Sequence, residues 1–168
     1  MSLPGSDVVI IDAGGANLGS VLAGFARLGV QPEVSRDPAR IAAASRLVLP
    51  GVGAAAPVMS TLRASGLDRL LPALGVPLLG ICIGMQVLFD RSEEGGVAGL
   101  GLLRGEVRKL PAVAGLRLPH MGWNRLQRRA ASPLLDGIED GAQAYFVHGY
   151  GVGESADAIA DTVHGASF

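Results

Sequence analysis

The sequence predicts an α/β fold: an open, doubly wound, mostly parallel sheet with helices on both faces and an antiparallel extension. Three observations carry this prediction. In the first half of the chain, short runs rich in Val, Ile and Leu alternate with segments of helical spacing. Most of these runs are apolar on both faces, as strands are when helices cover both sides of a parallel sheet. From Gly95 onward the texture changes to short strand-like runs separated by glycine or proline.

The first strand is Val8–Ile11. Residues 17–28 follow with Leu18, Val21, Leu22, Phe25 and Leu28 at helical spacing. Asn17 is placed to cap that helix and Gly29 to end it. Glu33–Ser35 is the weakest strand and reads as an edge. Asp37 and Pro38 form an N-cap with proline in the first turn, so a short helix starts there. Residues 47–49 make the next strand, residues 57–71 a helix broken at Gly66, and residues 78–81 a further strand. Met85, Val87, Leu88 and Phe89 continue from it as a helical pattern. In the second half, residues 106–110, 116–118, 144–150 and 158–164 are strand candidates. No internal repeat or long linker interrupts residues 1–168, which read as one domain.

Composition narrows the function. The 168 residues, 49% hydrophobic and 17% charged, suffice for one core. A formal charge of −1 gives no footprint for phosphate backbones or anionic lipid, so nucleic acid and membrane partners are not expected. Met1 to Asp12 lacks a basic region, and its apolar run is too short for a secretory leader. Residues 70–85 form the longest apolar tract, but Pro72 and Pro77 interrupt it and it falls short of the ~20 residues of a spanning helix. The single cysteine, Cys82, excludes an internal disulfide framework and a zinc site of several thiolates, which suits a reducing cytoplasm. No metal or cofactor is implied.

The strongest chemical signal is Gly80-Ile81-Cys82-Ile83-Gly84, between an apolar strand and a helical pattern. This is nucleophile-elbow spacing with sulfur in place of oxygen. So tight a turn leaves little room beyond hydrogen at the positions two before and two after the nucleophile, and both are glycine. Bare N–H groups at the helix start favour the thiolate, the reactive species. A lone cysteine ordinarily just fills space; the spacing argues otherwise here. The Leu49-Pro50-Gly51-Val52-Gly53 run is a second signal. A glycine turn at a strand end aims N–H groups at a developing oxyanion, although such turns are more often simple chain reversals. An acyl-transfer thiolate also needs a proton carrier. His120, His148 and His164 are available, and none stands at a telling spacing from a carboxylate.

Several segments together closely resemble the glutamine amidotransferase subunit of imidazole glycerol phosphate synthase, a class I amidotransferase family of histidine biosynthesis. They are Ile10 through Asn17, Leu49 to Gly53, Gly80 to Gln86, Ser92-Glu93-Glu94-Gly95, Pro119-His120-Met121-Gly122-Trp123-Asn124, and Tyr145 to Tyr150. The elbow is shared by all class I amidotransferases; the 119–124 run is far more specific. The resemblance implies a glutaminase in which Cys82 attacks the carboxamide of glutamine, ammonia leaves, and water releases glutamate from the thioester. It places the oxyanion hole at Gly51, Val52, Gly53 and Ile83, and glutamine binding at Gln86, Glu94, His148, Gly149 and Tyr150. Glu94 would pair the substrate's α-ammonium.

The resemblance further implies a heterodimer with a (β/α)8-barrel cyclase subunit, which receives the ammonia. The cyclase converts a phosphoribulosyl formimino carboxamide ribonucleotide to imidazole glycerol phosphate and an aminoimidazole carboxamide ribotide. Asn17, Met121, Trp123 and Asn124 match partner-facing positions, whereas a sole tryptophan more commonly packs in a core. Three departures stand out. The family's His-Pro-Glu run, which supplies the other two triad members, does not occur before Phe168; Gly149 replaces a hydroxyl residue, and Ala16 a glycine. The sequence therefore leads one to expect a chain lacking the C-terminal part of the family fold, with impaired glutaminase activity. The alternatives are a non-catalytic cyclase-binding subunit and a cysteine hydrolase of similar fold.

Overall fold

A computed structural model describes residues 7–168; the leader reading at Met1 to Asp12 falls largely on residues 1–6, outside the described residues. The chain forms two compact units, one ending at Leu103 and the other Arg104–Phe168.

The first unit is built on a four-stranded sheet in the order β2-β1-β3-β4: Glu33–Ser35, Val8–Ile11, Arg46–Gly51 and Leu78–Cys82. All three pairings are parallel. The chain runs outward from β1 to β2 and returns on the other side, so the order reverses between β1 and β3, where such sheets open their ligand crevice. Alternation along β1 divides its side chains between two cores. Val9 and Ile11, with Leu47 and Leu49 of β3, pack on α3 (Ala55–Ala64), α4 (Leu67–Ala73) and Ile41 of α2 (Pro38–Ala42). Val8, Ile10 and Val48 face α1 (Leu18–Arg27) through Leu18, Val21, Leu22 and Phe25. Each fully buried Val or Ile here contributes about 1.5–3 kcal/mol.

The helix limits follow from capping chemistry. Asn17 Oδ1 accepts the Ser20 N–H at 3.3 Å, and Gly29, at φ 71°, closes α1. Asp37 caps α2 by accepting the Ala39 N–H at 3.0 Å. Gly66 at φ 71° separates α3 from α4, as the sequence suggested, and α3 begins earlier, at Ala55.

Two expectations need correction in this unit. The strand at 78–81 is not covered on both faces: Leu79 is 50% exposed, because β4 lies at the edge of the described sheet. The helical pattern through Phe89 also stops early. Helix α5 spans only Ile83–Gln86, and Phe89–Ser92 is strand β5, paired with β6 (Val97–Ala98). The carbonyls of Val87, Leu88 and Phe89, which a longer helix would use internally, instead accept the N–H groups of Leu100, Leu102, Leu103 and Gly101. Tertiary hydrogen bonding overrides the local pattern.

The second unit supplies the expected antiparallel extension. Its main feature is a ribbon of β8 (His120–Arg125) and β10 (Gln143–His148). Strand β7 (Leu103–Lys109) pairs with β11 (Tyr150–Gly151), and β9 (Gln127–Arg128) with β12 (Ala160–Asp161). A final hairpin joins β13 (Val163–His164) to β14 (Ala166–Ser167). Residues 116–118 are not a strand. Leu116 N–H bonds back to Val113 in a turn, and the chain enters β8 through a cis Leu118–Pro119 bond.

Candidate active site

The elbow forms as its spacing requires. Cys82 ends β4 at φ 56° and ψ −118°, the one described non-glycine residue with positive φ, and it is exposed. The flanking glycines are obligatory on steric grounds. A Cβ on Gly80 would lie 2.6 Å from Met85 Cα, and one on Gly84 only 1.7 Å from the Leu49 carbonyl oxygen. The turn thus stacks directly on β3, and the main chain at Cys82 is held in a region that costs about 1–3 kcal/mol elsewhere.

That stacking brings the second sequence signal beside the first. Gly51 is the register partner of Cys82, and a Cβ there would meet Gly84 N at 2.9 Å. Beyond it, Val52 is 46% exposed and Gly53 takes φ 84° in open space. Ile83 is buried at the first position of α5. Gly51 therefore lies against Ile83 and Gly84 beside the nucleophile's strand end, and Val52 and Gly53 follow it in the chain.

Gln86 and Glu94 belong to the same unit. Gln86 is buried on α5, and its Oε1 has no hydrogen-bond partner; Glu94 Oε2 is likewise buried and unpartnered. The turn carrying Glu94 is well fixed. Ser92, 2% exposed, accepts the Glu94 N–H on Oγ at 3.2 Å, and Gly96 N–H bonds to Glu93 O at 3.1 Å. A Cβ on Gly95 would come within 2.9 Å of Ala56 Cβ, so this turn presses on the start of α3, the helix that follows the 50–53 loop. The buried hydroxyl of Ser92 had no sequence signal beyond its place in the Ser-Glu-Glu-Gly run.

The remaining sequence candidates lie in the second unit, apart from Asn17, which is exposed at the start of α1 with its side chain used as the cap. Met121 and Trp123 are 62% and 67% exposed, so the sole tryptophan does not pack in a core. Across the ribbon their partners Val147 and Tyr145 are exposed too, and the Trp123 and Tyr145 rings meet edge to face at 5.5 Å. Asn124 points the other way; its Nδ2 donates to Val163 O at 2.9 Å. His148 is half-buried, Gly149 O accepts Leu110 N–H, and Tyr150 pairs with Lys109.

All three histidines gather in this unit. His120 Nδ1 lies 3.0 Å from His148 Nε2, and the His120 ring stacks on His164 at 4.0 Å. Burial, then the neighbouring His164 and His148, push the basicity of His120 below its ordinary value. Sequence reasoning noted these histidines singly; their convergence depends on ribbon register. Among the described residues, no group of His, Cys, Asp and Glu has metal-site geometry, and no helix is long and apolar enough to cross a membrane.

Comparison with known proteins agrees with this geometry. Residues 9–166 match the family model for class-I glutamine amidotransferases. The chain is 56% identical to imidazole glycerol phosphate synthase subunit HisH of Xanthomonas oryzae pv. oryzae, over 97% of this chain and 82% of that protein. The HisH subunit of Xylella fastidiosa is 52% identical over the same shares. Among solved structures, a glutamine amidotransferase superposes with a TM-score of 0.69 at 17% identity, covering 95% of this chain and 85% of the other. At that identity the likeness speaks to the fold.

Proposed function

Since the chain belongs to the class-I glutamine amidotransferase family, alongside the HisH subunits it resembles at over half identity, we propose that it is the glutaminase subunit of an imidazole glycerol phosphate synthase. Residues 1–168 are read as one amidotransferase domain, because the family match runs through both units. The substrate is glutamine and the nucleophile is Cys82.

The observation that carries this reading is the pair of buried, unpartnered oxygens in the elbow's own unit, Gln86 Oε1 and Glu94 Oε2. An unpaired buried acceptor costs about 1–3 kcal/mol, more if charged, and a ligand rich in N–H donors removes that cost. Glutamine offers an α-ammonium and an amide. Glu94 pairs the ammonium in a charge-assisted bond, and Gln86 supports the substrate near the nucleophile.

In the reaction, Cys82 Sγ adds to the carboxamide carbon and the developing oxyanion takes N–H groups from Gly51, Val52 or Gly53 and from Ile83. One such donor is worth about 10²–10³ in rate. The thiol proton ends on the leaving nitrogen, ammonia departs, and water opens the thioester to glutamate and regenerated thiol. None of the three histidines is assigned as the proton carrier, since none stands in a His-Pro-Glu run. Ammonia passes to a cyclase partner, a (β/α)8 barrel, that docks on Met121 and Trp123 of the ribbon, whereas Asn124 faces away with its amide held by Val163 O. The continuous exposed apolar face of Met121, Trp123, Tyr145 and Val147 suits docking rather than solvent. A nucleophilic thiol suits a reducing compartment such as the cytoplasm.

A glutamine-shaped diazoketone, 6-diazo-5-oxo-norleucine, tests the assignment independently of turnover. Intact-mass analysis should show one adduct on the parent chain, none on Cys82→Ala, and slower labelling with glutamine present at about 10 mM, above the usual Michaelis range. Labelling elsewhere, or no protection by glutamine, refutes the proposal.

A further inference from the structure

Ser92 has no part in the chemistry above, yet it is 2% exposed, and a hydroxyl so buried needs a partner. It ends β5 opposite Val97 of β6, so residues 93–96 form the loop of a hairpin. That loop closes by its own turn chemistry. Gly96 N–H bonds to Glu93 O at 3.1 Å, and Gly95 and Gly96 take φ 78° and 59°, which glycine adopts without strain. The bond from Glu94 N–H to Ser92 Oγ, at 3.2 Å, is therefore additional to closure: it fixes the one peptide from which the Glu94 side chain springs.

A second constraint acts on the far side of the same turn. Gly95 presses on Ala56 closely enough that a Cβ would stand 2.9 Å from the alanine's Cβ. Ala56 lies in the first turn of α3; Ala55 beside it and Ile83 of α5 belong to one core cluster, against which Val97 of β6 packs. The hairpin, the helix after the 51–53 loop and the helix after Cys82 thus share one packed core of the first unit. Within that frame Glu94 is half-buried, and its Oε2 is buried without a partner. A carboxylate oxygen in that state is drawn toward water, where solvation would restore its hydrogen bonds. It stays only where the main chain holds it.

We propose that Ser92 is a positioning residue for glutamine: its hydroxyl holds the Glu94 peptide so that the carboxylate waits, already desolvated, for the α-ammonium. This rests on the reading of Glu94 given under Proposed function. A carboxylate fixed in advance loses little freedom when the ammonium arrives, and that preorganisation appears as affinity. Without the hydroxyl, Glu94 N–H loses its acceptor and the peptide turns to find water. The carboxylate follows it, and affinity falls for ligands that bear an α-ammonium. Ligands without that group are unaffected, because Ser92 acts through Glu94 alone.

The test compares two reagents at Cys82: the diazoketone, which carries the α-ammonium, and iodoacetamide, which does not. Second-order labelling rates are read by intact mass. Ser92→Ala should slow the diazoketone roughly three- to tenfold, the range of one lost hydrogen bond, and leave the iodoacetamide rate unchanged. Ser92→Thr keeps Oγ and should restore the diazoketone rate, whereas Ser92→Val, shaped like threonine without the oxygen, should not; this pair decides should Ser92→Ala not fold. In a Glu94→Ala background, Ser92→Ala should slow the diazoketone less than about twofold further, a non-additivity that a merely structural role would not produce. If both reagents slow together, or the loss recurs in full without the Glu94 carboxylate, the inference is overturned and the functional reading stands. If Glu94→Ala captures the diazoketone as fast as the parent, the assignment of Glu94 falls and the inference with it.

Discussion

Gly84→Ala is the sharpest probe of the elbow. The new methyl would stand 1.7 Å from the Leu49 carbonyl oxygen and 2.7 Å from its carbon. A carbon–oxygen contact settles no closer than about 3.3 Å, so α5 and the end of β3 must part by roughly 1.5 Å. Both are buried here, and the atoms in the way are backbone, which cannot swing aside as a flexible side chain would. Overpacking of this kind costs about 1–3 kcal/mol or more. At about 2–4 °C per kcal/mol for a chain of this length, a 3 kcal/mol loss lowers Tm by about 6–12 °C. The same displacement moves Sγ relative to the 51–53 loop, and a misplacement of about 1 Å costs on the order of 10²-fold in rate. Calorimetric Tm and the rate of diazoketone labelling at Cys82 measure both effects. Gly75→Ala is the control: its Cβ meets nothing within 4 Å, so Tm should hold or rise slightly. A Gly84→Ala protein melting within about 2 °C of the parent, by the size scaling above, and labelled as fast, would refute the steric argument.

Glu94→Gln keeps the shape of the half-buried side chain and removes its charge; glutamine protection of Cys82 should weaken about 10–100-fold, the worth of a charge-assisted bond, while alkylation without glutamine stays the same. Trp123→Ala should leave Tm nearly unchanged, because the ring is 67% exposed and exposed substitutions stay within about 0.5 kcal/mol. Its affinity for a cyclase partner, measured by calorimetric titration, should fall at least about 30-fold, as for an interface hot spot. Folding stability should decline with acid. His120 binds its proton less readily folded than unfolded, so its contribution is full above about pH 6.5 and is lost as pH falls toward its lowered folded value. Asp7, held below its ordinary 3.8 by the hydrogen bond from Arg40, extends the loss into the range below pH 4. Urea midpoints that rise on acidification from pH 7 to 5 would contradict the first of these.

Much of the first unit was legible because its signals are local. Val8–Ile11 carries its own burial, Asn17 and Gly29 their own caps, and Gly80 to Gly84 a spacing that admits one kind of turn. The edge position of Leu79 was not legible, since strand order is a property of the whole sheet. Nor was the short α5, because the N–H groups that claim the Val87 to Phe89 carbonyls come from residues 100–103. Strand β8 was visible only as a motif: Gly122 and the proline before His120 give it little β-propensity, and pairing with β10 makes it a strand. For the candidate site, spacing pointed to Cys82 and the 50–53 loop, and resemblance to Gln86 and Glu94. That two of their oxygens are left wanting donors is a fact of packing. The meeting of His120 and His148 depends on residues 28 positions apart facing each other in register, which no window of sequence contains.

The twist at residue 82 has a corollary for handling the protein. An unfolded chain has no reason to hold a cysteine at φ 56°, so the substrate-shaped capture proposed for that sulfur should require the assembled strand and turn. General alkylators will mark any preparation, native or damaged. The ratio of diazoketone to iodoacetamide uptake therefore serves as a quality gauge, reporting how many molecules in a sample still carry a correctly bent elbow.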